Sequence, residues 1–383
     1  TPTSGLVVTE AGGTATFTVV LTSQPTADVV IGLSSSDTSE GTNSPASLTF
    51  TSADWNTLQT VTITGVDDFV DDGDIAFNIV TAAAVSTDAN YDGMNAADVS
   101  VTNTDNDTAG ITVNPTSGLV VTEAGGTATF TVVLNSQPTA DVTIGLSSSD
   151  ATEGTVAPAS LTFTAANWNT PQTVTITGVD DTIADGTILF TILTDAAVSA
   201  DPVYNGMNPA DVSVSCTDND TPGITVTPTS GLTVTEAAGA GHTATFTVVL
   251  NTQPTADVTI GLTSSDTTEG TVSPDSLTFT TSNWNEPQTV TITGVDDDLA
   301  DGDIAFTILT AAAVSTDTGY SGLDAADVSV TNVDDDYTLT IISLHSTVVK
   351  NPDQATYHIG DVVQLTATPD LGWTFDGWSG DAT

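Results

Sequence analysis

Residues 2–21 read PTSGLVVTEAGGTATFTVVL, and the second half of that stretch decides the fold. From Thr14 to Leu21 the chain alternates, with Ala15, Phe17, Val19 and Leu21 at one parity and Thr14, Thr16 and Thr18 at the other. Strand side chains point alternately to opposite faces, so this pattern buries one face and wets the other; a helix would need apolar residues three and four apart. Working outward, SLTFT at 47–51, TVTIT at 60–64, IAFNIV at 75–80 and DVSVT at 98–102 keep the same period between Gly, Pro, Asn and Asp turns. Short strands at this spacing predict an all-β fold, an Ig-like antiparallel β-sandwich of about seven strands. No stretch has the period of an amphipathic helix.

The opening stretch returns at 115–134 and again, three residues longer in its Gly-rich turn, at 228–250. Pro2 to Pro115 and Pro115 to Pro228 are each 113 positions, too long for a solenoid unit and suited to a whole domain. The expected division is therefore 1–109, 110–222 and 223–336 in tandem, followed by a small C-terminal β module at 337–383 whose alternation no longer matches the repeat. Copies two and three are preceded by AGITVN and PGITVT, which read as a first strand that copy one lacks. A bare sheet edge is sticky, so a strand from another repeat or another molecule is expected to cover it. The tail is likewise expected to be incomplete.

Charge sets the next constraint. The 383 residues carry 49 acidic side chains against a single lysine, Lys350, and no arginine, a net charge of −48. Internal salt bridges cannot balance that, and the field repels nucleic acid and anionic membrane surfaces, so neither is an expected partner. With 38% hydrophobic residues in regular strands the chain reads as folded, not disordered. A lone cysteine, Cys216, excludes an intramolecular disulfide framework. No apolar run approaches the roughly 18 residues of a membrane span, so membrane insertion is not expected.

Only seven of the acidic residues are glutamates, which leaves 49 − 7 = 42 aspartates. Solvation alone does not prefer the shorter side chain, whereas turns and short-reach coordination do. Loops of a sandwich cluster at its ends, so acidic residues distant in sequence can meet there. In copy one these are Glu10, Asp37, Asp67, Asp68, Asp72, Asp105 and Asp107. The counterparts in copy two are Glu123, Asp150, Asp180, Asp181, Asp185, Asp218 and Asp220. Copy three supplies Glu236, Asp266, Asp296, Asp297, Asp301, Asp334 and Asp336, with Asp335 between the last two. Two like charges about 4 Å apart cost about 4 kcal/mol at an effective dielectric near 20, and several such pairs would exceed the stability of a domain, about 5–15 kcal/mol. A cation has to sit among them. Oxygen ligands without His or Cys select Ca²⁺ or Mg²⁺, and many carboxylates on flexible loops favour Ca²⁺.

The framework VTEAGGTATFTVVL, then SSD, then VTITGVDD with a later acidic residue, then DND, resembles the Calx-beta domain over roughly residues 1–336. That resemblance implies calcium ligands at the glutamate after the first strand, the SSD aspartate, the paired aspartates with an acidic residue four or five positions on, and the closing acidic triplet. Those are the positions named above. Two departures stand out: the later acidic ligand is typically Glu in the sodium/calcium exchangers that carry this domain and is Asp here, and the middle of the triplet is Asn106 or Asn219 in the first two copies. The tail resembles the internalin-type B repeat through Tyr357, Gly360, Val363, Leu365, Pro369, Trp373, Phe375 and Trp378, with WSGD closing at Asp381.

Other residues read as structural. Trp55, Trp168 and Trp284 are expected at strand entrances, Trp373 and Trp378 in a core, and Asp28, Asp141 and Asp257 in turns. His242, His345 and His358 have no repeated partner, and Cys216 stands where Asn103 and Asn332 stand in the other copies. No Ser/His/Asp set recurs and no glycine-rich phosphate loop precedes a helix, so no enzyme is expected. The leading expectation is a calcium-stabilised extracellular structural protein: a stalk or filament segment of a surface adhesin, joined to further repeats or self-associating into fibres. The alternatives are a glycan- or protein-binding adhesin module and a calcium sensor within a larger protein.

Overall fold

The computed structural model describes residues 1–380; the closing Asp381 of the WSGD motif, and with it the end of the 337–383 module, lies outside the described residues. The described residues form strands, turns and bends, with no helix. The chain falls into two compact units, residues 1–180 with 187–217, and residues 181–186 with those from 218 onward.

Repeat two, inside the first unit, sets the pattern. One sheet orders Leu119–Thr122, Val212–Thr217, Ile188–Thr194, Val142–Ser148 and Ser160–Phe163, with Val198–Ser199 added on Val142–Ser148. The other orders Gly154–Ala157, Gln172–Gly178, Thr127–Leu134 and Ile111–Asn114. Between them the inward parity of each strand packs, with Phe130, Phe163, Val174, Ile176 and Tyr204 buried. Repeat three, inside the second unit, repeats both sheets around Phe246, Phe279 and Tyr320.

One pairing departs from the antiparallel rule. Leu6–Thr9 runs parallel to Val99–Thr104, as Leu119–Thr122 does to Val212–Thr217 and Leu232–Thr235 to Val328–Val333. A parallel pair needs a long crossover, here nearly the whole repeat. Its effect is that two segments almost a domain apart in sequence finish at the same end of the sandwich.

Repeat one differs at an edge. Its second sheet consists of Thr14–Val19, Gln59–Gly65 and Gly41–Ser44, with Thr1 bonded to Thr18 at the place where Asn114 faces Thr131 in repeat two. Val20 is 39% exposed, and Val19 is half-buried where its counterparts Val132 and Val248 are buried.

The C-terminal module consists of two small ladders, Ser346–Asn351 with Gln364–Pro369 and Asp336–Tyr337 with Tyr357–His358. Tyr357 is its buried apolar residue among those described, and Trp373 and Trp378 are 56% and 49% exposed. Their expected place in a core is therefore not what the structure has: Trp373 stacks on His345 at 3.7 Å, and Phe375 meets Trp378 edge-on at 5.1 Å. Trp55, Trp168 and Trp284 do pack against the sandwich cores.

Each repeat locks its Ser/Thr-Gln-Pro loop with a tyrosine. The Tyr204 hydroxyl donates to the Ser136 carbonyl at 2.8 Å and accepts from the Ser136 amide at 3.0 Å, both buried. Tyr91 with Ser23 and Tyr320 with Thr252 repeat the device. Removing one partner of a buried hydrogen bond leaves the other unsatisfied, so Tyr204→Phe is expected to cost about 1–3 kcal/mol. Tyr91→Phe should cost less, because Ser23 is exposed and water can replace the hydroxyl. Denaturant unfolding of both variants is the check, and equal losses would contradict this account.

Candidate metal centre

The parallel edge pair builds the site. Glu10 follows Leu6–Thr9 and Asp105 follows Val99–Thr104, and the Glu10 amide still donates to the Thr104 carbonyl at 3.2 Å. The two strands thus deliver their acidic residues side by side. The loop from 66 to 74 joins them, because Gln59–Gly65 ends against the same place. A Cβ on Gly65 would lie 2.2 Å from the Thr9 carbonyl oxygen and 2.8 Å from Asn103 Oδ1, so only glycine lets the VDD segment start beside Glu10. Gly41 serves the next strand similarly: a Cβ there would fall 2.2 Å from the Phe77 ring, and this close seat brings Glu40 inward.

In repeat one, ligand-type oxygens of Glu10, Asp105 and Asp107 all lie within 4.8 Å of one another, and so do those of Glu40, Asp68 and Asp72. Glu10 is 2% exposed. Burial, then the neighbouring charges of Asp105, Asp68 and Asp72, push its carboxyl up to about 7, against the lowering bond from the Asn106 amide. Glu40, Asp72 and Asp107 are also raised, first by burial and then by adjacent aspartates, Asp67 being one of those beside Asp107. Asn103, buried, donates to Glu40 Oε2 at 3.3 Å and to the Val66 carbonyl at 3.1 Å.

The chain fixes the aspartates itself. Asp105 accepts from the Asp107 and Gly73 amides, both at 2.7 Å, and Gly73 reaches its position with φ of +78°, a region that favours glycine. The same bonds recur at Asp218 with Asp220 and Gly186, and at Asp334 with Asp336 and Gly302. Asp68, Asp181 and Asp297 each accept from the amide two residues on.

In repeat two, Glu123, Glu153 and Cys216 are buried together within the same 4.8 Å limit. Asp180, in the first unit, is exposed; in the second unit, Asp185 is raised by burial and then by Asp181 and Asp218. In repeat three, Asn332 donates to Glu236 Oε1 and Glu269 Oε2, both at 3.3 Å, and so bridges two buried glutamates. Burial pushes Glu236 up to about 7, with Asp334, Asp297 and Glu269 adding to it and the Asp335 amide opposing. Glu269 is raised by burial and further by Asp301, Asp266 and Asp297; Asp296 is exposed. Asp336 is buried and raised, first by burial, and His358 Nε2 lies 3.5 Å from its Oδ1.

The SSD aspartates stand differently. Asp37, Asp150 and Asp266 each accept from the backbone and hydroxyl of the residue two further on, which lowers them. They hold a turn beside the cluster. The sequence reading missed Glu40, Glu153 and Glu269. Their signal was present, since each precedes a Gly-Thr in all three copies, but an exposed turn gave no hint that the side chain would turn inward.

A hard divalent cation fits this donor set. Apart from Cys216 the ligand atoms are oxygens, and several buried ones, Glu236 Oε2, Asp335 Oδ1 and the oxygens of Asn103 and Asn332, have no hydrogen-bond partner among the described residues. The ion pairs among the described residues, Lys350 with Asp353 and His358 with Asp336 and Asp361, do not reach the clusters of repeats one and two.

A family model described as the Calx-beta domain matches residues 3–107, 104–220 and 217–336. The chain belongs to the Calx-beta domain family. A second model, the divergent InlB B-repeat domain, matches residues 337–383 behind the three Calx-beta repeats. Among solved structures, CBD12 from CALX1.2 is similar at 14% identity over 57% of this chain and 98% of that one, with a TM-score of 0.27. The calcium binding domain CBD12 of CALX1.1 is similar at 16% identity over 53% and 80%, TM-score 0.26. Domains 4 and 5 of the S-layer protein SbsC are similar at 18% identity over 50% and 77%, TM-score 0.23. No curated protein matches the chain. No helix among the described residues is long and apolar enough to cross a membrane.

The raised glutamates fix a pH dependence for the ion-free protein. Glu10 and Glu236 go from 4.5 to about 7 on folding, so the folded state holds protons that the unfolded chain releases. Their contribution is complete below pH 4.5 and is lost as pH rises through about 7. Asp88 runs the opposite way: amide bonds from Thr26 and Asn90 lower it from 3.8 to about 2, so its contribution is present above pH 3.8 and lost as pH falls through about 2. In chelator, the melting temperature should therefore fall between pH 5 and 8, as a pH series of melts would record. A rise over that interval would contradict the burial of these carboxyls.

Proposed function

We propose that the Calx-beta repeats bind calcium at their carboxylate-lined ends and act as a calcium-stabilised structural segment, a stalk or filament subunit of an extracellular surface protein. The observation that carries this reading is the pair of inward glutamates in each repeat, buried among aspartates in a chain with a single lysine. The ligands are Glu10, Glu40, Asp68, Asp72, Asp105 and Asp107 in repeat one, with Asp67 at the margin and Asp37 steadying the adjoining turn. Counterparts act in the other repeats, Cys216 replacing an asparagine in repeat two. Calcium suits them because it accepts six to eight oxygens in irregular geometry, while magnesium keeps its waters. The division at 109, 222 and 336 belongs to this reading, as does an extracellular setting, where calcium is plentiful enough for loose, highly charged sites.

The loop that carries the paired aspartates also reaches the following repeat, and this is what makes the sites structural. In the first unit, the Phe69 carbonyl accepts from the Gln137 amide at 2.6 Å, the Phe69 ring lies 5.9 Å from Trp168, and Asp71 accepts from the Ala109 amide at 2.7 Å. In the second unit, Thr182, at the position of Phe69, accepts from the Gln253 amide at 2.7 Å. An ion that orders this loop orders its contact with the next domain. The exposed Trp373, Phe375 and Trp378 favour a second role for the tail, adhesion to a glycan or protein surface.

Glu236→Gln separates an ion site from mere acidity. Without calcium it removes a buried repulsive charge, and the variant should be as stable as the parent or more so at pH 8. With calcium a hundredfold above its dissociation constant, the parent gains about 2.7 kcal/mol per site, and the variant should lose most of that gain in repeat three. Melts in calcium and in chelator, with small-angle scattering of the same samples, test both halves; equal melting of the parent in the two conditions would remove calcium from the account.

A further inference from the structure

The closing aspartate of repeat three faces a histidine that comes from outside the repeat. Asp336 and Tyr337 pair antiparallel with Tyr357 and His358, so Asp336 stands directly opposite His358. Directly opposed residues carry their side chains on one face of a ladder, with Cβ atoms about 4.5–5.5 Å apart. A further bond holds the tail there: the Thr356 hydroxyl donates to the Asp298 carbonyl at 2.9 Å. Asp298 stands where Phe69 and Thr182 stand in the other repeats, and those carbonyls accept from the amides of Gln137 and Gln253. The tail thus seats on repeat three through the loop that elsewhere seats the next repeat, and all of its contacts named here lie within the second unit.

Asp336 is an exposed charge by type and a buried one by place. Its side chain is fully buried, and neither carboxylate oxygen has a hydrogen-bond partner among the described residues. In repeat one the Asn106 side-chain amide donates to the counterpart, Asp107, at 3.5 Å. In repeat three that neighbour is Asp335, whose Oδ1 is itself buried without a hydrogen-bond partner among the described residues. Burial raises the Asp336 carboxyl, His358 opposes the rise, and Asp334, Asp335 and Asp298 add to it.

His358 is held from behind. Its amide donates to Asp361 Oδ2 at 3.0 Å, the Asp361 amide donates to the His358 carbonyl at 3.0 Å, and Oδ2 lies 3.9 Å from Nδ1. The other ring nitrogen, Nε2, is 3.5 Å from Asp336 Oδ1. That distance separates two readings. A charge-assisted hydrogen bond would close to about 2.7–2.9 Å, whereas two ligands at about 2.0–2.2 Å on one tetrahedral ion stand about 3.4 Å apart. A carboxylate behind one ring nitrogen, with the other turned to the ion, is the common support of a metal-bound histidine. The other histidines are placed differently: His242 Nδ1 is 2.9 Å from the Thr235 carbonyl oxygen, and His345 stacks on Trp373.

We propose that His358 Nε2 and the Asp336 carboxylate bind a zinc ion between repeat three and the C-terminal module, with Asp335 and water completing its shell and Asp361 as a positioning residue. An imidazole nitrogen beside carboxylate oxygens suits zinc, while calcium takes oxygens alone. The His358 side chain is 42% exposed, which gives the ion a way in. The proposal goes beyond the calcium reading. It shares Asp336 with the carboxylate end of repeat three and adds a nitrogen ligand without counterpart in repeats one and two, since residues 1–222 contain no histidine.

The test titrates zinc into the full chain near neutral pH, in excess calcium to compete at the all-oxygen clusters. Imidazole NMR of the unmodified protein should show the His358 resonances shifting with the first equivalent while those of His242 and His345 stay. Equal shifts of all three, or none, would leave an ion pair only and overturn the proposal. In equilibrium dialysis His358→Gln should weaken the first zinc by about tenfold or more, or about 1.4 kcal/mol. Asp361→Asn, which keeps an acceptor for the His358 amide, should weaken it by about tenfold, and His345→Gln should change nothing. Equal zinc affinity in His358→Gln and the parent also overturns the proposal. Melts keep the two metals apart: a calcium-dependent rise in melting temperature without a His358 shift removes zinc and leaves the calcium reading, and a His358 shift without that rise does the reverse.

Discussion

Repulsion between carboxylates that the fold brings together, in a chain without cations to meet them, is the constraint behind this structure. The sandwich does not create it by accident of crowding. The parallel edge pair sets Glu10 beside Asp105, Gly65 admits the 66–74 loop to the same spot, and Gly41 turns Glu40 inward. Each step is a backbone decision, made by strand direction or by the absence of a Cβ. The cost is visible in carboxyls raised toward neutrality by burial, and the same burial that penalises the bare anions would strengthen their hold on a cation.

Much of the fold was legible in the sequence because period-two alternation and the 113-residue repeat are strong, local signals. Phe17, Phe50, Val61, Ile63 and Phe77 lie inward as their parity requires. The parallel edge was not legible: LVVT alternates the same way whichever direction its partner runs, and only the end at which Glu10 emerges depends on it. For the site, the aspartates could be gathered from recurrence, yet which of them converge is a matter of loop path. Asp37 turned out to hold a turn, and Glu40 took the inward place. In the tail, Trp373 and Trp378 look like core residues by type, but the described part of that module has too few strands to enclose them.

The repeats are similar without being equivalent. Asn332 bridges Glu236 and Glu269, and Asn103 bonds Glu40, whereas repeat two carries Cys216 at that position. The loop residue that meets the following repeat is Phe69 in the first and Thr182 in the second, the one adding an aromatic contact to a carbonyl bond that both share. The first of these places lies at the inward parity of a strand, where Cys216 joins the core of repeat two, and the second lies in a loop; the sheets keep the same strand order through both changes. The side chains at the carboxylate end and at the inter-repeat loop thus differ from copy to copy on one scaffold.

A net charge of −48 has a thermodynamic consequence for encounters between copies. At low ionic strength two copies feel each other's field across about 30 Å, and at physiological salt across about 8 Å, so the medium alone sets how closely copies approach. Divalent ions taken up at the carboxylate ends would lower the net charge as well as fill the sites. If the carboxylate ends take up such ions, uptake and net charge become linked functions of one chemical potential, and the repulsion between copies would fall as the ion's concentration rises.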